Sequence, residues 1–326
     1  MRFRTEIGLS DHAGLIDHST PIMLLGSCFS DNIGSRLRSN LFDVMTNPFG
    51  TVYNPLSIEA EVKRIASGKD FEKTDIVTSG NMHHCMLCHS ALSSTDRKAM
   101  LAKINDRLLS AADFLRRSRI LIITLGTAYV YTYIPTGEVV ANCHKLPATM
   151  FTRRRIGVEE CAGSLLRTID SATQISPDIK IILTVSPIRH LSDGFHENQL
   201  SKSTLLLGIM KTIEMVRERA IYFPSYEIML DDLRDYRFYA PDMCHPSETA
   251  SDYIYECFGR SFFTESTQAL CESCLKLYRR ISHRPLTDDM EAIARFRNET
   301  ERIASELLQR NPFLTQAYKN ENITTI

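Results

Sequence analysis

The chain has 326 residues, 43% of them hydrophobic and 24% charged, which is the balance of a globular protein and not of a disordered one. Its 38 Lys+Arg stand against 39 Asp+Glu, a formal charge of -1 that argues against a broad electrostatic footprint for nucleic acid or acidic membrane. No apolar run approaches the ~20 residues that span a bilayer, and Met1-Arg2-Phe3-Arg4-Thr5-Glu6 leads into no signal-peptide hydrophobic region, so a cytoplasmic location is expected. The nine cysteines, an odd count, then read as reduced thiols and not as a disulfide framework.

In chain order, Pro21-Ile22-Met23-Leu24-Leu25-Gly26 reads as a buried strand ending in a glycine turn. A helix over Asp31–Asn40 follows, with Ile33 and Leu37 on one face, and then a strand over Leu41–Thr46 closed by Asn47-Pro48-Phe49-Gly50. A long helix is predicted over Asp96–Arg117, where Met100, Ile104, Leu108, Ala111 and Leu115 recur at helical spacing. Three further apolar runs follow: Ile120–Leu125, Ile179–Val185 and Ile221-Tyr222-Phe223. They alternate with helices predicted over Glu159–Ala172 and Asn198–Arg219. Strands alternating with amphipathic helices imply a parallel sheet covered on both faces, with functional groups collected beyond the strand C-termini. After about Phe263 the pattern changes to two charge-dense amphipathic stretches, Thr267–Ser282 and Leu286–Gln309. The chain therefore divides into a domain over residues 1–265 and a helical extension over 266–326, which could mediate self-association.

Two motifs carry chemistry. In Asp242-Met243-Cys244-His245-Pro246-Ser247 the Asp can orient the imidazole within one tight turn, and Pro246 suits the first turn of a following helix. The bland alternative is an Asx-type turn with a surface His. In Leu24-Leu25-Gly26-Ser27-Cys28-Phe29-Ser30 two candidate nucleophiles, Ser27 and Cys28, lie at the mouth of a helix, where backbone N–H groups favour negative charge. A thiol there is expected to ionise more readily than a buried one. The alternative is a capping Ser beside a small buried Cys. Together the motifs form a nucleophile–base–orienter set.

At these residues the sequence resembles the GSCFA proteins, a branch of the SGNH (GDSL-like) hydrolase superfamily. The resemblance extends through Asn47-Pro48-Phe49-Gly50-Thr51, Leu125-Gly126-Thr127-Ala128-Tyr129, Asn142-Cys143-His144-Lys145, Ser186-Pro187-Ile188-Arg189-His190 and Asp242-Met243-Cys244-His245-Pro246, in the family's order. It implies a three-layer α/β/α, flavodoxin-like fold with a parallel sheet and an acyl-esterase type of activity without a cofactor. It also implies a small-molecule or glycan ester as substrate. Alignment on Gly26 puts Cys28 at the nucleophile position, with Ser27 as the alternative, and Asp242 and His245 match the Asp-x-x-His block. Gly50 matches the glycine whose N–H lines the oxyanion hole. Ala128 stands where the superfamily has a donating Asn, and Asn142 is the candidate substitute. The departure at Ala128 supports a second reading, a catalytically degenerate binding or assembly protein on the same scaffold.

Arg189, His144 and Lys145 are weaker candidates for substrate contact, Arg189 because its guanidinium suits a carboxylate or phosphate. His83-His84-Cys85-Met86-Leu87-Cys88-His89 invites a zinc reading, but a second ligand pair is found only at Cys271 and Cys274, in another predicted helix, so no metal is expected. No phosphate-binding glycine loop is present, and no nucleotide cofactor is expected.

Overall fold

Five short apolar runs, each too short for a helix and rich in Ile, Leu and Val, form one parallel sheet whose faces are both buried. The computed structural model describes residues 4–283 and 289–320. Its elements are β1 (Ile22–Gly26), α1 (Cys28–Ser39), β2 (Val44–Thr46), α2 (Pro55–Ser67), β3 (Ile76–Ser79), β4 (Met82–Cys85), α3 (Arg97–Arg117), β5 (Ile120–Leu125), β6 (Tyr129–Tyr133), β7 (Glu138–Val140) and β8 (Phe151–Arg155). They continue with α4 (Val158–Ile175), β9 (Lys180–Val185), α5 (Gly194–Val216), β10 (Ala220–Tyr222), α6 (Ser225–Glu227), α7 (Glu248–Phe262), α8 (Glu265–Ile281), α9 (Met290–Arg310) and α10 (Thr315–Asn320).

The sheet order is β10-β9-β5-β1-β2, all parallel, with Leu24 opposite both Ile122 and Thr46 and Ile123 opposite Leu183. This is the flavodoxin-like order, and its strand ends create a crevice at the C-terminal edge. Alternation along the strands sorts the core. Met23, Leu25, Leu121, Ile123 and Leu183 face α2, α3, α4 and α5, and Ile22, Leu24, Ile120, Ile122 and Ile182 face α1 and α7. Each such side chain taken fully from water contributes on the order of 1.5–3 kcal/mol. The fold is thus α/β with a central parallel sheet between two helical layers.

The sequence reading missed α2, the antiparallel hairpin β3–β4 and the strand β8 that completes the sheet β7-β6-β8. Short strands flanked by turns carry weak periodicity, whereas α2 is marked by its Asn54 cap, Pro55 and the buried spacing of Ile58, Val62 and Ile65. Several boundaries also differ, and three have a local cause. α1 starts at Cys28, since the Ser27 side chain accepts the Phe29 N–H and caps it. β2 starts late, because Leu41 takes φ 59 and turns the chain first. Pro246 lies outside α7: Ser247 is the cap, accepting from the Ala250 N–H, and Pro246 pairs with Tyr239 as an isolated bridge.

The C-terminal helices bury Cys274, Leu277, Ala304, Leu314 and Ala317 around Leu41, at the end of α1. Residues 286–288 of the second predicted extension helix lie outside the described residues. No described helix is long and apolar enough to cross a membrane.

The tight contact between α4 and α5 supplies a stability test. A Cβ on Gly208 of α5 would stand 2.5 Å from Cys161 Sγ of α4 and 2.8 Å from its Cβ. Gly208→Ala is expected to lower stability by about 1–3 kcal/mol through overpacking, read as a lower urea midpoint. An unchanged midpoint would mean that the helices are not packed this closely.

Candidate active site

Backbone constraints build the site at the C-terminal edge of β1. Gly26, at φ 139, passes so close to β5 that an added Cβ would lie 2.2 Å from the Thr124 carbonyl, so only glycine fits there. Its N–H donates to Asn47 Oδ1 at 2.9 Å, and Asn47 Nδ2 donates to Asp31 Oδ1 at 2.9 Å. The Gly-Ser-Cys turn, the Asn-Pro-Phe-Gly loop and α1 are therefore one hydrogen-bonded unit.

Cys28 is the first residue of α1 and half-buried, and its Sγ lies 3.8 Å from His245 Nε2. His245 Nδ1 lies 2.5 Å from Asp242 Oδ2, while Asp242 Oδ1 accepts the Cys244 and His245 N–H groups, each at 3.0 Å. The ionised carboxylate makes Nδ1 the donor and leaves Nε2 as the acceptor facing the thiol. The two amides of His245 and Cys244, and then the His245 ring, hold the Asp242 carboxyl down to about 2. The same bonds keep Met243 at φ 58. The loop is anchored by the Arg189 N–H to the Cys244 carbonyl, 3.1 Å, and the Ala240 N–H to the His245 carbonyl, 2.8 Å.

Ser27 and Cys28 are separated by the fold. Ser27 is wholly buried, and its hydroxyl accepts the Phe29 N–H at 3.3 Å as the helix cap. For Cys28, burial pushes the thiol up; its own N–H, the Phe29 N–H and Lys202 pull it down, and Asp31 opposes them. The expected easy ionisation is thus offset by desolvation, and the net direction is upward. The buried Cys161 and Cys274 are pushed to about 12 by burial.

Lys202 is the functional residue that sequence reasoning missed. It is fully buried, and its Nζ donates to the carbonyls of Gly126, 2.8 Å, and Ser186, 2.7 Å, at the ends of β5 and β9. Burial pulls its ammonium down to about 7, with Arg189 adding to the effect and Cys28 opposing it. The signal was present: Asn198, Ser201, Lys202, Leu205, Ile209 and Thr212 share the buried face of α5, so a lysine occupies a core-facing position. Tyr53 and His190 complete the surroundings. Their rings meet edge to face at 5.8 Å, and burial, Lys202 and His245 together bring His190 down to about 4.

The other predicted residues fall as follows. Gly50, at φ 96, abuts His89, and its N–H closes the loop onto the Asn47 carbonyl at 2.8 Å. Ala128 is buried, and its N–H donates to Ser201 Oγ at 2.7 Å. Asn142 Oδ1 accepts from the His144 N–H, 2.8 Å, and Ser90 Oγ, 3.3 Å, which fixes the amide with its NH2 as the remaining end. His144 turns inward: Nε2 lies 2.9 Å from the Cys85 carbonyl, Nδ1 lies 3.2 Å from Ser90 Oγ, and the ring stacks on His84. Both its nitrogens are taken, so its expected contact with substrate is replaced by a structural tie. Lys145 is exposed. Arg189 Nε donates to Asn198 Oδ1 at 2.7 Å, and no carboxylate among the described residues pairs with its guanidinium. The His83–His89 segment and the Cys271/Cys274 pair belong to different parts of the core, and among the described residues no group of three or more His, Cys, Asp or Glu is placed to hold a metal ion.

The sequence profile of the GSCFA family matches residues 21–258, most of the chain, and the chain belongs to that family. No curated protein matches the sequence. Among solved structures it is similar to an acetyl xylan esterase from the rumen bacterium Butyrivibrio proteoclasticus, at 13% identity and a TM-score of 0.39 over 73% of this chain. The chain spans 62% of the length of that esterase.

Two outcomes test this geometry. Lys202→Met strands two carbonyls, so stability should fall by roughly 1–3 kcal/mol for each buried group left unpaired. The pH at which Cys28 is half alkylated should rise, because the cation that lowers it is gone. An unmoved alkylation profile would remove Lys202 from the electrostatics of Cys28. The second concerns acid. The contribution of the Asp242 carboxylate is complete above its ordinary value of 3.8 and is lost as pH falls through about 2. Its side-chain carbon should titrate in NMR with a midpoint near that lower value, and a midpoint near 3.8 would mean that the loop is open in solution.

Proposed function

We propose that this GSCFA family member is a cofactor-independent hydrolase of ester bonds, of the SGNH type, with Cys28 as nucleophile. One observation carries the reading: a sulfur at a helix N-terminus stands 3.8 Å from an imidazole whose far nitrogen is held at 2.5 Å by a carboxylate. That is the nucleophile–base–orienter arrangement, with the slack expected before substrate binds.

His245 Nε2 takes the thiol proton as Cys28 attacks the acyl carbonyl. The Cys28 N–H faces the developing oxyanion and the Asn142 NH2 is the candidate second donor, whereas the Gly50 N–H, expected there from the sequence, is held by the Asn47 carbonyl at 2.8 Å. His245 then returns the proton to the departing alcohol, and water repeats the sequence on the thioester. Asp242 keeps Nδ1 protonated throughout and stabilises the imidazolium. Lys202 supplies positive potential below the thiolate. The substrate is an O-acylated carbohydrate or another small ester, and the guanidinium of Arg189, which meets no carboxylate among the described residues, favours one with a carboxylate or phosphate.

Ala128 favours a second reading, a binding or assembly protein on the same scaffold, since its side chain is buried and its N–H is already held by Ser201. The C-terminal helices would then provide a surface for self-association.

Turnover of activated acyl esters separates the two. Cys28→Ala and His245→Ala are expected to lose about a thousandfold or more in kcat, and Asp242→Asn about a hundredfold to ten-thousandfold. Ser27→Ala should keep turnover while losing about 0.5–2 kcal/mol of stability as a lost cap. Full activity in both Cys28→Ala and His245→Ala would end the mechanism. Loss in Ser27→Ala with retention in Cys28→Ala would move the nucleophile. No turnover, together with slow and equal labelling of all nine cysteines by a thiol probe, would favour the binding protein.

A further inference from the structure

The Cys-x-x-Cys pair after β4 has no part in the hydrolase reading. The Cys88 N–H donates to the Cys85 carbonyl at 2.9 Å, so the two residues are the ends of a β-turn. Turn ends lie within about 7 Å of each other at Cα, which overlaps the roughly 4.4–6.8 Å spanned by disulfides. Both thiols are reduced and buried, 2% and 0% exposed, and they act on each other directly: Cys88 stabilises a thiolate at Cys85, which in turn raises Cys88. Cys85 also lines an open cleft of about 440 Å³, beside Arg64, Phe71 and Met86, which gives a small solute a route to it.

In the same core, Glu61 of α2 is 1% exposed, and burial pushes its carboxyl up to about 8, with the Phe49 amide opposing. Cys271 and Cys274 offer a comparison with the same spacing. They lie within the helix α8 and not at a turn, beside His18, each sulfur 3.9 Å from its Nε2, and burial pushes both to about 12.

We propose that Cys85 and Cys88 form a redox-active dithiol that closes to an internal disulfide with hydrogen peroxide as oxidant. The Cys85 thiolate attacks one peroxide oxygen and the O–O bond breaks. The departing hydroxide takes the proton that Cys85 released and leaves as water, with Cys85 now a sulfenic acid. Cys88 then attacks the Cys85 sulfur, the S–S bond forms and the S–O bond breaks, and the expelled hydroxide takes the Cys88 proton and leaves as water. In sum, two thiols lose two electrons and two protons, and one peroxide becomes two waters.

The test treats the reduced full-length protein with limiting peroxide, blocks remaining thiols and maps the peptides by mass. It is repeated in Cys28→Ala, so that the proposed hydrolase cysteine neither competes nor decides the result. The expected finding is loss of two hydrogens from the peptide holding Cys85 and Cys88, with Cys271 and Cys274 still alkylated. Cys88→Ala should stop at a sulfenic acid on Cys85, trapped by a dione probe. The proposal is overturned if Cys85 and Cys88 both stay alkylatable while other cysteines oxidise, and equally by closure of the Cys271–Cys274 pair at the same rate.

Discussion

A parallel sheet ends all its strands on one edge, and the carbonyls at that edge have no ladder partner. Here a buried ammonium meets two of them. Lys202 joins the Gly126 and Ser186 carbonyls across the ends of β5 and β9, so one amine ties that part of the edge together. A charge in that position is tolerated only because both bonds are made and because negative charge can form nearby. Cys28 is that nearby group, and the coupling runs in both directions: each charged form favours the other.

The remaining geometry follows from how the loops are tied to this edge. Asn47 holds the turn after β1 and α1 together through Gly26 and Asp31, which sets the height of Cys28 above the sheet. Arg189 holds the Asp242–His245 turn from the other side through the Cys244 carbonyl. Two short loops that are far apart in the chain therefore face each other with one thiol and one imbalanced imidazole between them. Rigid anchoring of this kind is what a preorganised site requires.

Much of this was legible beforehand. The three central strands of the main sheet, β9, β5 and β1, are apolar runs of five or six residues bounded by turns, and burial on both faces is what makes them readable. Asp242 and His245 could be paired on paper because three residues within one tight turn leave little freedom. Glu61 and Lys202 could not be assigned in the same way. Each is a charged residue on a helix face, and only the packing of that face decides whether the charge meets water, a carbonyl or a thiol. His144 shows the same limit from the other side: its neighbours in sequence suggest a ligand, yet the hairpin turns its ring inward onto Cys85.

The amino-acid sequence by itself determined the alternation of strands and helices, the near-neutral surface, the family motifs and the two loops that carry Cys28 and Asp242–His245. Local periodicity and turn chemistry are short-range properties, so they survive reading in one dimension. Tertiary structure alone decided that Ser27 is a buried cap while Cys28 faces the imidazole. It alone placed Lys202 beneath the strand ends and put the nine cysteines in distinct environments, with one Cys-x-x-Cys pair at the ends of a β-turn and the other beside His18. Desolvation and long-range charge set the chemistry of those groups, and both depend on what the fold brings near, not on what lies adjacent along the chain.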